Sequence, residues 1–364
     1  MKKIISLEKK KTRLSFRPPL ALTLLVGGML APVMAQAPVA HAQKYSDWSA
    51  PVNLGPTINS AFTDTQMAIS KNGRSLYFTS NRPGGLGSVD MYVSQRASVN
   101  DPWGSPVNLG PTVNSASGEA NPAFSRDGHL MFFQSNRPGG LGLIDIWVSR
   151  RENKHDDFAW QTPVNLGAGV NSAANDNGPS YFENDEGDFE NNDEGDCENE
   201  EEGAPQLYFG SDRPGGLGGP DIYLSEQMAD GSFGPAVLVT ELSSPMTENR
   251  PSVRRDGLEI FFHSNRIGSI VDPLGGLSFD LWVATRESTL DAWSTPVNLG
   301  NTINTTFLEQ TPYLSSDRKT LLFTSDRPGG SGGQDLYMST RTKLRGGNDG
   351  DRDDDNDDDD DDDN

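Results

Sequence analysis

The apolar positions of the chain fall in short runs bounded by turn residues, and the runs return in the same order. "LYFTS" (Leu76 to Ser80) and "LMFFQS" (Leu130 to Ser135) alternate into a terminal serine, and a turn such as "SRDG" (Ser125 to Gly128) precedes them. An earlier run follows an acidic residue three positions before a usual proline, as in "EANPAFS" (Glu119, Pro122) and "EQTPYLS" (Glu309, Pro312). A third run opens at an aspartate, "DMYVSQR" or "DIWVSRR". A fourth reads "WGSPVNLG" (Trp103 to Gly110), with relatives "WQTPVNLG", "FGPAVLVT" and "WSTPVNLG". Proline in that fourth strand is tolerable at a sheet edge, so the strand belongs outermost.

Between the second and third runs one phrase recurs five times: "SNRPGGLGSVD" from Ser80, "SNRPGGLGLID" from Ser135, "SDRPGGLGGPD" from Ser211, a stretched "SNRIGSIVDPLGGLSFD" from Ser264 and "SDRPGGSGGQD" from Ser325. The serines lie 55, 76, 53 and 61 residues apart, and visible insertions explain the two long spacings. A period of about 54 residues made of four strands matches a propeller blade. The sequence therefore predicts an all-β, five-bladed β-propeller with blades at about 64–110, 119–167, 176–239, 248–300 and 309–343. The last unit lacks a fourth strand, whereas "WSAPVNLG" (Trp48 to Gly55) precedes the first. Residues 46–55 are thus expected to complete the fifth blade and close the ring.

Composition agrees: 39 Gly and 24 Pro in 364 residues favour turns over long helices. The net charge of −22 is concentrated in two segments, an insertion at 183–204 and an Asp-rich tail at 348–364. The rest is nearly neutral and shows no basic footprint for nucleic acid. Both acidic segments read as disordered. Weak calcium binding is the cofactor chemistry they would offer, although neither has the spaced ligands and glycine of a calcium loop. Residues 1–42 carry seven basic residues, an apolar run from Leu20 to Ala35 and small residues before Ala37 and Ala42, the layout of a cleaved secretory signal. The apolar run is too short for a spanning helix, so no integral membrane segment is expected in the mature chain. Cys197 is the only cysteine, which excludes an intrachain disulfide.

The units "SxRPGGxGxxDIY" and "W..PVNLG..VNS" resemble the PD40 or TolB-type WD40-like propeller repeats of exported bacterial proteins, over roughly Lys44 to Lys343. Their wording is similar to repeats that accompany OmpA-like peptidoglycan-binding domains in the cell envelope. The resemblance implies a periplasmic or secreted scaffold. TolB-type relatives are usually six-bladed, and only the Asp-rich run follows Lys343 here, so anchoring through an OmpA-like domain is not carried over.

Successive antiparallel strands place the RPGG loops and the links between blades on one face. That face collects Arg82, Arg137, Arg213, Arg266 and Arg327, the loop-end aspartates Asp90, Asp145, Asp221, Asp280 and Asp335, and the acids Asp64, Glu119, Asp176, Glu248 and Glu309. Each arginine can clasp a carboxylate and backbone carbonyls, pinning a glycine-rich loop. The acids begin the innermost strands and are expected to ring the channel mouth, where they could hold a cation or basic ligand. A catalytic group is needed once, and these recur in every blade, so catalytic residues are not assigned. The stretched loop adds Ile267, Ile270, Val271 and Leu274, with His263 just before it, and is the candidate contact surface beside Arg266. His41, His129 and His155 are scattered, which argues against zinc.

Three function classes remain in view. The leading one is a non-enzymatic propeller that binds an envelope protein or cell-wall glycan. The second is a glycosidase-like enzyme using channel-mouth carboxylates, Glu119 or Glu248 among them. The third is a calcium-responsive structural protein.

Overall fold

The computed structural model describes residues 45–183 and 204–344; the expected signal, most of the acidic insertion and the Asp-rich tail lie outside them. Twenty strands form five four-stranded antiparallel sheets, and the described residues contain no helix. Blade 1 is β2 (Asp64–Ile69), β3 (Ser75–Ser80), β4 (Asp90–Gln95) and β5 (Val107–Asn108). Blade 2 is β6 (Glu119–Phe124), β7 (Leu130–Ser135), β8 (Asp145–Arg150) and β9 (Val164–Asn165). Blade 3 is β10 (Asp176–Phe182), β11 (Gln206–Ser211), β12 (Asp221–Glu226) and β13 (Val237–Leu238). Blade 4 is β14 (Glu248–Val253), β15 (Glu259–Ser264), β16 (Asp280–Thr285) and β17 (Val297–Asn298). The fifth joins β18 (Glu309–Leu314), β19 (Thr320–Ser325) and β20 (Asp335–Thr340) to β1 (Val52–Asn53), so a strand from the start of the chain completes the last blade.

The second strand of each blade is buried along nearly its whole length rather than on alternate residues. Both of its faces meet a neighbouring blade, which is why "LYF" and "MFF" are continuous apolar runs. Phe78 packs with Leu322 and Leu336 of blade 5, while Tyr77, on the opposite face, packs with Met131 and Phe133 of blade 2. The fourth strands pair through only two residues each, shorter than "WGSPVNLG" suggested, and their prolines sit just outside the ladder. In four blades the tryptophan that opens this segment stacks under an arginine closing the third strand, with Arg96 4.1 Å above Trp103 and Arg151 4.4 Å above Trp160.

Every inner strand carries a bulge that the alternation of the sequence did not reveal. Two residues after each acid the backbone turns left-handed, at Gln66 (φ 53°), Asn121 (62°), Gly178 (61°), Arg250 (53°) and Thr311 (53°). In four blades the bulge amide donates to a second-strand side chain of the preceding blade: Asn121 N to Thr79, Gly178 N to Gln134, Thr311 N to His263 and Gln66 N to Thr324. These bonds tie the blades together around the axis.

Candidate functional site

The five acids do not ring an open mouth. Asp64, Glu119, Asp176, Glu248 and Glu309 are fully buried, each a short step inside the loop face. Glu119 accepts from the Ser115 amide (2.7 Å) and hydroxyl (2.6 Å), from the Ser135 hydroxyl (2.9 Å), and pairs with Arg137 Nη2 at 3.1 Å. The same arrangement joins Asp64 to Arg82 (2.6 Å), Asp176 to Arg213 (2.5 Å), Glu248 to Arg266 (3.2 Å) and Glu309 to Arg327 (2.9 Å). Each arginine also donates to a carbonyl of the preceding link, Ile58 O for Arg82 at 2.7 Å, and lies between two rings, Phe78 and Tyr92 for Arg82. Fully buried carboxylates that accept three or four donors within the clasp are turned away from a cation or a sugar on the loop face, and Arg266 uses its Nε and Nη2 inside its clasp. The ion pair does not hold every acid low: burial raises Glu309 above the usual range even with Thr305 and Arg327 opposing it.

The loop-end aspartates hold the glycine-rich loops through backbone amides, and none pairs with an RPGG arginine. Asp90 accepts from the Leu86 and Gly87 amides and from Asn108 Nδ2 (2.9 Å), so one carboxylate fixes the loop and the outer strand together. Asp145 repeats this with Leu141, Gly142 and Asn165, and Asp335 with Ser331, Gly332 and Asn53 of β1. Asp221 keeps its two backbone donors, but Leu238 stands where the asparagine would be. The second glycine of RPGG is required by this closeness: a Cβ on Gly85 would lie 2.3 Å from Asp90 Oδ2. In blade 4 the insertion removes one amide, leaving Asp280 with only Ile270 N (2.8 Å) and Asn298 Nδ2 (2.7 Å) and with Oδ1 unpartnered. Burial then pushes its carboxyl up to about 6.

The insertion itself is a small hairpin. Val271 bridges Leu277, Asp272 Oδ1 caps the Leu274 and Gly276 amides, and Ser278 anchors the hairpin base through Phe307 O. Ile267 is 88% exposed and Leu274 97%, while Ile270 is half-buried at the base. His263 is not part of this surface. It is buried in the inter-blade latch, its Nδ1 accepting from Thr311 N, and burial together with the charge of Arg250 holds the ring neutral, well below the usual histidine range.

The sequence placed the mouth of the central channel on the RPGG face and missed the cavity on the other side and the residues that line it. A cavity of about 160 Å³ is lined by the inner strands of all five blades and reaches the face of the "SRDG"-type turns, opposite the RPGG loops. Its polar lining includes the bulge residues Gln66, Asn121, Arg250 and Thr311, and Pro122, Pro179, Pro251 and Pro312 supply an apolar wall without amide donors. The one signal in the sequence was that this position differs in every repeat although an acid stands two residues before it in all five and a proline follows it in four. At the mouth, Glu183 accepts from Arg126 N (2.6 Å), and burial and nearby Asp127 raise its carboxyl. Burial pushes Asp127 up as well, but the Ser125 hydroxyl and His129 amide outweigh it and hold Asp127 below its usual value. Among the described residues no group of three or more His, Cys, Asp or Glu is placed to hold a metal ion, and no helix is long and apolar enough to cross a membrane.

The sequence matches no family model and no curated protein. Solved structures do resemble it. A GH43_12 protein from the capybara gut metagenome is 14% identical, covers 85% of this chain and 59% of its own, with a TM-score of 0.50. The catalytic domain of a Coprinopsis cinerea GH62 α-L-arabinofuranosidase is 13% identical over 82% of this chain and 98% of its own (TM-score 0.49). A putative TolB from Agrobacterium tumefaciens is 12% identical over 83% and 99% (TM-score 0.45). At such identities what this chain shares with solved proteins is the β-propeller fold.

Proposed function

We propose that the chain is an exported propeller of the PD40, TolB-like kind, working in the periplasm or outside the cell by binding an envelope protein or cell-wall glycan through its loop face. The supporting observation is the division of roles on that face. Every recurring carboxylate and arginine is buried in a clasp, and the surface is left to apolar loop tips: Leu86, Leu141, Leu143 and Leu217 of the RPGG loops, and the blade-4 hairpin with Ile267, Val271 and Leu274, the last the most exposed of all. Three large apolar side chains on a tied-down hairpin form a contact surface, not a folding element. Cross-linking of the mature protein to cell-envelope fractions tests it, beside a variant whose hairpin is shortened by six residues to the length of its sisters. The intact protein should capture a partner that the folded short-loop variant does not; equal capture by both removes the loop-face reading.

A second reading, a carbohydrate-active enzyme, keeps one foothold. Glu183 and Asp127 sit together at the channel mouth with carboxyl values moved in opposite directions, the division of labour a general acid and its ionised partner need. Hydrolysis of a plant or cell-wall polysaccharide that vanishes in Glu183→Gln would favour this reading over the first.

A further inference from the structure

Arg250 is unlike every other arginine near the propeller axis. The five clasp arginines each have a carboxylate; Arg250 forms no ion pair among the described residues. Its partners are neutral amides from across the channel. Nη1 donates to Asn121 Oδ1 at 3.4 Å, and Nη2 to the Gln66 side-chain oxygen at 2.9 Å when that amide turns its nitrogen toward Thr79 Oγ1. A guanidinium offers five donors, so two weakly basic oxygens leave it short of acceptors and without a counter-charge.

The chain goes to some length to hold it there. Arg250 occupies the left-handed bulge conformation that Gln66, Asn121 and Thr311 also adopt, which a residue with a Cβ enters only at a cost. Its side chain lies across the equivalent position of blade 3, which is glycine: a Cβ on Gly178 would meet Arg250 Cγ at 2.8 Å. Burial lowers the guanidinium to about 10, so it is charged at neutral pH and its charge is felt by buried His263. A second arginine on the same wall, Arg255, has a buried Nε with no hydrogen-bond partner. In a protein of net charge −22 the cavity is lined by Lys71, Arg126, Arg250 and Arg255 against the single carboxylate of Glu183.

Arg250 is half-buried in the cavity wall, and a charge partly withdrawn from water without a counter-ion is unfavourable unless something pairs with it. We infer that the central channel is a binding site for a small organic carboxylate, whose carboxyl group pairs with Arg250 between the Gln66 and Asn121 amides while its body rests on the proline wall. A guanidinium flanked by two amides able to meet neighbouring hydroxyls, beside an apolar proline wall, fits a carboxylate carried on a carbon body; phosphate would meet the basic groups but leave the wall unused. This site opens on the face opposite the RPGG loops and stands independently of the loop-face reading.

Thermal unfolding of the full mature protein in glucuronate, benzoate, inorganic phosphate or glucose tests the inference, with Arg250→Gln and Asn121→Asp run alongside. Asn121→Asp builds in a counter-ion at a left-handed position that aspartate tolerates. At a hundredfold excess over Kd, at least one carboxylate should raise the Tm of the wild type by about 5 °C, and glucose should not. Both variants should lose that rise, and Asn121→Asp should be more stable than wild type without any ligand. Arg250→Gln should melt within about 2 °C of wild type or above it, because a site kept for a ligand is not a folding contact. No response to either carboxylate, a response to phosphate alone, or an undiminished response in Asn121→Asp would each overturn the assignment.

Discussion

Asp280 shows how one missing hydrogen bond becomes a measurable property. Its sisters Asp90 and Asp145 accept three donors each, whereas Asp280, like Asp221, accepts two and leaves one oxygen unpartnered; in Asp280 burial and the charge of Glu309 act on that thinner shell. A carboxyl group at about 6 in the folded state and about 3.9 in the unfolded chain binds its proton more tightly when folded. It therefore adds no penalty below pH 4, a growing one between pH 4 and 6, and a full one above. Asp280→Asn keeps the acceptor for Ile270 and Asn298 and should stabilise the protein by about 2 kcal/mol at pH 7 but not at pH 4, read from urea midpoints at both. The clasps run the other way. Arg137→Met strands the buried carboxylate of Glu119 and should cost about 3 kcal/mol, most of it recovered when Glu119→Gln is added. Which acids and arginines recur could be read from the sequence; which acid meets which arginine could not. The three partners of Glu119 and the three donors of Asp90 all lie within about twenty residues of it and recur with it, so repetition alone cannot tell a buried clasp from an exposed ring.

At the scale of the element, strand order and blade composition were legible because the turn residues and the apolar runs are strictly phased. The bulges were not, since "EANPAFS" reads as an ordinary strand until the left-handed Asn121 is seen. A proline next to a residue that varies in every copy was the available clue. The hairpin of blade 4 was visible as added length, but its energetic link to Asp280 was not. If the hairpin is what removed the third donor, shortening it to the "GGLG" pattern restores that amide and lowers the Asp280 carboxyl. The gain from Asp280→Asn should then fall from about 2 kcal/mol to near zero in the short-loop background, a coupling that a double-mutant cycle of urea midpoints measures directly.

For the whole molecule, the question is what keeps a ring shut when no disulfide is available. The closure is non-covalent: Val52 and Asn53 pair with Met338 and Tyr337, and Ser46 N and Ser49 N donate to Thr342 O and Thr340 O at 2.8 Å each. Side chains reinforce it. Arg341 lies over Tyr45 and Trp48, Asn53 completes the cradle of Asp335, and Asn59 bonds both the amide and the carbonyl of Leu336. Removing residues 44–55 strips these contacts and exposes β20 as an open edge, so Tm should fall by about 10 °C or more. The bridge between Tyr45 and Lys343 shows that the closing strand runs antiparallel from the point where β20 ends. It could therefore follow β20 through a short turn, as the fourth strand follows the third in every other blade. A permuted chain that starts at Pro56 and carries residues 45–55 after Leu344 through a glycine-containing turn should form the same ring and melt within a few degrees of the wild type. A permutant as unstable as the deletion would mean that the order of the chain, and not the pairing of β1 with β20, holds the propeller closed.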